Sequence, residues 1–164
     1  MPKAQQDASK SNIHKDFHGA FSHCIKYIYE KYGKVEMTKC LEQIAERVYK
    51  PLIEAIAKEG LQALEKHWQR IFTLEAADFN QYYENGILVL NVKKCPAIMH
   101  MKKSGFDIFE KYCEHTRIMN KKICDLAGYS CSVTYNQKEG YCEQRFWKEK
   151  GDMYDIMYRV HFML

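Results

Sequence analysis

Three of the seven cysteines stand where a thiol could take part in chemistry: Cys95, Cys113 and Cys142, all in the second half of the chain. Cys95 precedes Pro96, and a proline suits the first position of a helix, where free backbone N–H groups and the helix dipole stabilise a thiolate. A cysteine so placed can serve as nucleophile or metal ligand; the plainer alternative is a small buried side chain closing a helix after a central strand. Cys113 is followed by Thr116, Arg117, Asn120 and Cys124 at offsets of three, four, seven and eleven. Within one helix these form a polar stripe that faces either a cavity or solvent. A free cysteine is usually buried, which favours the cavity. Cys142 shares one face of a predicted strand with Gln144 and Phe146, while Glu143 and Arg145 take the other. Arg145 therefore reaches the same pocket as Cys142 only if a bulge intervenes.

Two histidines are candidate bases. His18 sits beside Phe17 in the first predicted helix, and His100 follows Cys95 by five positions; each could also be an ordinary core or surface side chain. The chain has no CxxC pair, only Cys113-x-His115, so a zinc ion held by cysteines requires three thiols distant in sequence to converge. Twelve tyrosines, several of them on predicted strands, mostly serve packing, and a few hydroxyls near a cavity would suit a small polar ligand.

The elements that must position these groups fall into two blocks. Phe17, Phe21, Cys24, Ile25, Ile28 and Tyr32 recur at helical spacing before Gly33, a C-terminal stop. A second helix runs from about Met37 to Ile56, interrupted near Pro51, and a third carries Leu61, Leu64, Trp68 and Ile71. From Asp78 the pattern turns to strand, with Asn85-Gly86 as a tight turn between Phe79–Tyr83 and Ile87–Val92. A helix from Cys95-Pro96 to Ser104-Gly105 and a longer one from Asp107 to Ala127 follow. Runs at Tyr129–Tyr135 and Tyr141–Trp147 predict a second hairpin, and Tyr154–Phe162 a last strand. Helices, hairpin, helices, then strands describe a single α+β domain over 13–164 with an antiparallel sheet, preceded by a polar tail over 1–12.

Composition narrows the function. Lysine and arginine exceed aspartate and glutamate by 25 to 21 and are interspersed with them, so nucleic acid is not a favoured partner. No run approaches the roughly 20 apolar residues of a membrane span, and no apolar leader opens the chain; the expectation is a cytoplasmic protein with free thiols. Gly-rich phosphate loops, HExxH and GxSxG are absent from the sequence.

Taken in order, Asp16-Phe17-His18, Lys31-Tyr32-Gly33, Tyr49-Lys50-Pro51-Leu52, Gly60-Leu61, Cys95-Pro96 with His100, Cys113 with Thr116, and Gly140-x-Cys142-x-x-Arg145-Phe146 resemble the L-2-amino-thiazoline-4-carboxylic acid hydrolase family. The resemblance runs from residue 14 to about residue 148. It implies hydrolysis of a carbon–nitrogen bond in a cyclic amidine such as a 2-aminothiazoline carboxylate, and a fold similar to small-molecule-binding domains of the vinyl-reductase-associated kind. The chain departs from that family's form in two places: Thr116 lies where an acidic residue follows the second cysteine, and Cys142-Glu143-Gln144-Arg145-Phe146 replaces Cys-Asp-Phe-Arg.

The expectation is a hydrolase of a small cyclic amidine in which Cys113, Cys95 or Cys142 attacks carbon, or the three hold a zinc ion that activates water. His18 or His100 would move the proton. Arg145 or Arg117 would bind a substrate carboxylate, with Thr116 and Asn120 beside it. The alternative is a domain that binds a small ligand or metal without turnover. Apolar helix faces left uncovered would favour a homo-oligomer.

Overall fold

The computed structural model describes residues 14–148; the expected polar tail over 1–12 and the strand expected over Tyr154–Phe162 lie outside the described residues. Helices come first and strands follow: α1 (Phe17–Val48), α2 (Lys50–Glu59), α3 (Leu61–Leu74), β1 (Asp78–Glu84), β2 (Ile87–Lys94), α4 (Pro96–Lys103), α5 (Glu114–Ala127), β3 (Ser130–Asn136) and β4 (Tyr141–Trp147). This is the α+β order read from the sequence. No described helix is long and apolar enough to cross a membrane.

Gly33 divides α1. Its φ of 86° and ψ of 177° lie in a region open essentially to glycine alone, so residues 17–32 and 34–48 are two helical stretches joined at a sharp bend. The break before α2 falls at Tyr49, and Pro51 sits in the first turn of α2, where a missing N–H removes no hydrogen bond.

The four strands form one antiparallel sheet in the order β1-β2-β4-β3. Asn85 and Gly86, with φ of 51° and 81°, make the two-residue turn that suits the twist of a hairpin. Gln81, Leu90, Gln144 and Val133 lie in one row across the sheet. Strand alternation then turns Leu88, Leu90 and Val92 of β2 and Cys142, Gln144 and Phe146 of β4 toward the helices. Leu88, Leu90, Val92 and Phe146 are fully buried there with Leu41, Ile56, Leu64, Ile98 and Met101.

One helix is shorter than its periodicity suggests. Residues 107–113 were expected to open the long helix, yet α5 begins at Glu114 and Cys113 is its N-cap. Side chains from elsewhere take the backbone groups that a helix would use. Ser22 Oγ accepts the Phe109 N–H at 3.0 Å, Gln137 Oε1 accepts the Cys113 N–H at 3.0 Å, and Gln137 Nε2 donates to the Phe109 carbonyl at 2.8 Å. Phe109 and Tyr112 are buried from this turn, which reproduces the apolar spacing of a helix without being one.

A Cβ at Gly33 would meet nothing within 4 Å, so Gly33→Ala should cost only backbone strain, roughly 1–3 kcal/mol. Urea unfolding measures this, and an unchanged midpoint would contradict the bend.

Candidate active site

Between the inward sheet face and helices α1, α3 and α5 lies a cavity of about 630 Å³, within the roughly 300–1,000 Å³ range of small-molecule sites. Most of its wall is apolar, including Phe21 of α1, Trp68 and Phe72 of α3, and Met119 and Ile123 of α5. Cys95, Cys113 and Cys142 all line it. The three thiols that are distant in sequence therefore meet one space.

Each arrives from a different element for a local reason. Cys95 caps α4 directly after β2, and its N–H donates to the Gly140 carbonyl at 2.7 Å, at the entrance to β4. Cys142 follows two residues later on β4, opposite Val92 of β2. Cys113 caps α5, held by Gln137 from the turn between β3 and β4.

The surroundings keep these thiols protonated. Burial pushes the Cys113 thiol up to about 12, with negative charge on Cys95, Cys142 or Glu114 acting in the same direction. Burial pushes Cys142 up to about 11 against an opposing hydrogen bond from Gln144. Cys95 is also raised by burial, and the N–H groups of Ile98 and Ala97 at the start of α4 only partly offset it. The helix-terminal stabilisation expected from Cys95-Pro96 is present but loses to desolvation.

Beside the thiols stands a buried polar chain. His18 Nε2 lies 3.2 Å from Glu75 Oε2, and the Tyr112 hydroxyl lies 3.4 Å from His18 Nδ1. Donation from Nε2–H to the carboxylate leaves Nδ1 to accept from Tyr112. His115 Nδ1–H donates to the Tyr112 carbonyl at 2.5 Å, and Thr116 Oγ1 lies 3.3 Å from its Nε2. Burial lowers His115 to about 4, opposed by the bond to the Tyr112 carbonyl and reinforced by His18. His115 borders the cavity, and its lowered value leaves it neutral at physiological pH. Asn120 Nδ2 donates to Gln144 Oε1 at 2.7 Å, and Gln144 Nε2 lies 3.4 Å from Cys142 Sγ.

Of the residues singled out by sequence, Cys95, Cys113, Cys142, His18, Thr116 and Asn120 reach the cavity wall. Three do not. Arg145 lies on the opposite face of β4 from Cys142, bound to Glu143 at 2.7 Å and Glu84 at 3.3 Å; no bulge turns it inward. Arg117, one residue past Thr116 and so rotated about 100° around the helix, pairs with Glu114 in solvent. His100 is absent from the cavity wall and pairs with Asp16, at the start of α1, at 2.9 Å. The stripe after Cys113 divides likewise, since Cys124 turns away from the cavity to hydrogen-bond Cys131. Sequence reasoning passed over Glu75, Tyr112, His115 as a polar group beside Cys113, and Gln137. Only His115 carried a signal, its place two residues after Cys113.

Among the described residues the lining contains neither lysine nor arginine, and Glu75 is its one acidic residue. Among the described residues no three His, Cys, Asp or Glu side chains are grouped as a metal site. No protein-family model and no curated protein matches the chain.

His115 supplies a test of the cavity's low polarity. Its folded value of about 4 lies below the ordinary 6.5, so between those pH values the unfolded chain takes up a proton that the folded chain refuses. Its contribution is complete above pH 6.5 and is lost as pH falls toward 4, by at most about 3 kcal/mol. His115→Asn should flatten stability over that window in urea titrations at stepped pH. An unchanged slope would show that His115 is not held neutral.

Proposed function

We propose that this chain is a hydrolase that opens a carbon–nitrogen bond of a small cyclic amidine. The observation that carries the reading is the meeting of Cys95, Cys113 and Cys142 with the Glu75–His18–Tyr112 chain on one largely apolar cavity. The resemblance in the order Cys95-Pro96, Cys113, Gly140-x-Cys142 supports it from a separate direction.

An amidine carbon is electron-poor, and its nitrogen is a base. A thiol that rests protonated, as Cys113 does, must lose its proton as it attacks. In this reading the proton passes to the amidine nitrogen while Sγ adds to carbon. The ring C–N bond then breaks with nitrogen leaving as the amine, and water displaces the cysteine from the carbon. The Tyr112 hydroxyl passes a proton of that water to His18 Nδ1, which Glu75 orients, and a proton returns to the departing cysteine sulfur to restore the thiol. Thr116 and Asn120 offer hydrogen bonds to the ring. Arg145 and Arg117 have no part in the reaction.

Binding without turnover is a second reading, favoured by one observation: all three thiols are held as thiols rather than as the more reactive thiolates.

Ring opening of a panel of cyclic amidines, followed by mass spectrometry, separates the two. The hydrolase reading expects turnover that Cys113→Ala removes and that His18→Gln lowers about 10²–10⁴-fold, with ligand binding retained in both. Tight binding with no ring opened, or turnover untouched in Cys113→Ala, would move the assignment to the binding domain or to another nucleophile.

A further inference from the structure

We propose that the cavity selects its ligand by charge and polarity, taking a cationic or neutral amidine that carries an apolar substituent and rejecting a carboxylate. This rests on the reading of the cavity as the substrate site, and it narrows the substrate class that the family resemblance implies.

Three features combine. Glu75 is the one acidic residue in the wall among the described residues, its side chain only 13% exposed and its Oε2 facing His18. No lysine or arginine among the described residues lines the cavity, and the two arginines closest to the site in sequence are occupied elsewhere, Arg145 by Glu143 and Glu84 and Arg117 by Glu114. His115, a further polar group on the wall, is held neutral by burial. A ligand carboxylate would give up its hydration with no lysine or arginine of the described wall to replace it, since the Lys15 ammonium donates to the Glu75 backbone carbonyl outside the lining, and it would share a poorly hydrated space with Glu75. An amidinium has the opposite fit: its planar N–H groups donate to a carboxylate in the geometry that guanidinium uses.

The remaining wall defines the rest of the ligand. A volume of about 630 Å³ is several times that of a bare five-membered ring, and Phe21, Trp68, Phe72, Met119 and Ile123 offer apolar contact across it. A ring amidine bearing an aryl or alkyl group would fill that space and remove apolar surface from water.

The test is calorimetric binding of three probes to the intact chain: 2-aminothiazoline, its phenyl-substituted derivative and its 4-carboxylate. The phenyl derivative should bind most tightly, and the carboxylate at least about ten-fold more weakly than the unsubstituted ring. Glu75→Gln should weaken the two amidines while leaving the carboxylate unchanged or improved. Equal or tighter binding of the carboxylate by the unaltered protein would overturn the proposal, and that comparison needs no variant to fold. Turnover is read separately. The charge preference without ring opening would sustain this inference while removing the hydrolase reading, and ring opening of the carboxylate alone would do the reverse.

Discussion

The short turn between β3 and β4, residues 136–140, is the constraint on which the site depends. The Gly140 carbonyl accepts the Cys95 N–H, and the Gln137 side chain accepts the Cys113 N–H while donating to the Phe109 carbonyl. β4 then carries Cys142 inward two residues beyond Gly140. One turn thus fixes the backbone of two cysteines and sets the strand register of the third. Gly140 has a φ of 71°, a conformation that side-chain-bearing residues rarely adopt, so glycine lets the turn form without strain, and a Cβ there would meet Ile98 at 3.4 Å, in ordinary contact. The segment before α5 forgoes helical hydrogen bonds because Gln137 and Ser22 supply replacements.

What the turn assembles is a space where desolvation dominates electrostatics. A thiol at a helix start is ordinarily a candidate for a lowered pKa, yet here the apolar wall outweighs the N–H groups of Ala97 and Ile98. The same effect keeps His115 neutral. Several polar groups in this setting satisfy one another, Glu75 with His18, His18 with Tyr112, His115 with Tyr112 and Thr116, and Asn120 with Gln144, while Trp68 Nε1 on the same wall is buried without a partner among the described residues. Charged groups without such partners in the cavity, Arg117 and Arg145, stay on the outside with acids of their own. In the proposed reaction proton movement is coupled to attack, because each of the three thiols rests protonated.

Local pattern carried much of this. The alternation of β4 placed Cys142 and Gln144 on one face and Arg145 on the other, and the Asn85-Gly86 turn and the stop at Gly33 followed from residue type. Pattern failed where a distant side chain decided the outcome. Periodicity through Ile108, Phe109 and Tyr112 reads as helix, and only Ser22 and Gln137, remote in sequence, make it a turn. Glu75 ends a helix with no motif around it and acquires its role from His18, 57 positions away. His100 lies as near to Cys95 in sequence as any candidate base, but helical rotation takes it to Asp16. Spacing could not show that the three thiols meet, because their convergence is a property of sheet order and of one turn.

The central claim, that Cys95, Cys113 and Cys142 share one poorly hydrated cavity, is tested most directly by alkylation rates resolved by residue across pH and read by mass spectrometry. Cys24, exposed although it also borders the cavity, should be modified first, while Cys95, Cys113 and Cys142 lag together and accelerate only in strongly alkaline solution, with Cys142 and Cys113 following values of about 11 and 12, and a bulky label on any one of these three should shield the other two. Rapid, independent labelling of any of the three at neutral pH would contradict it.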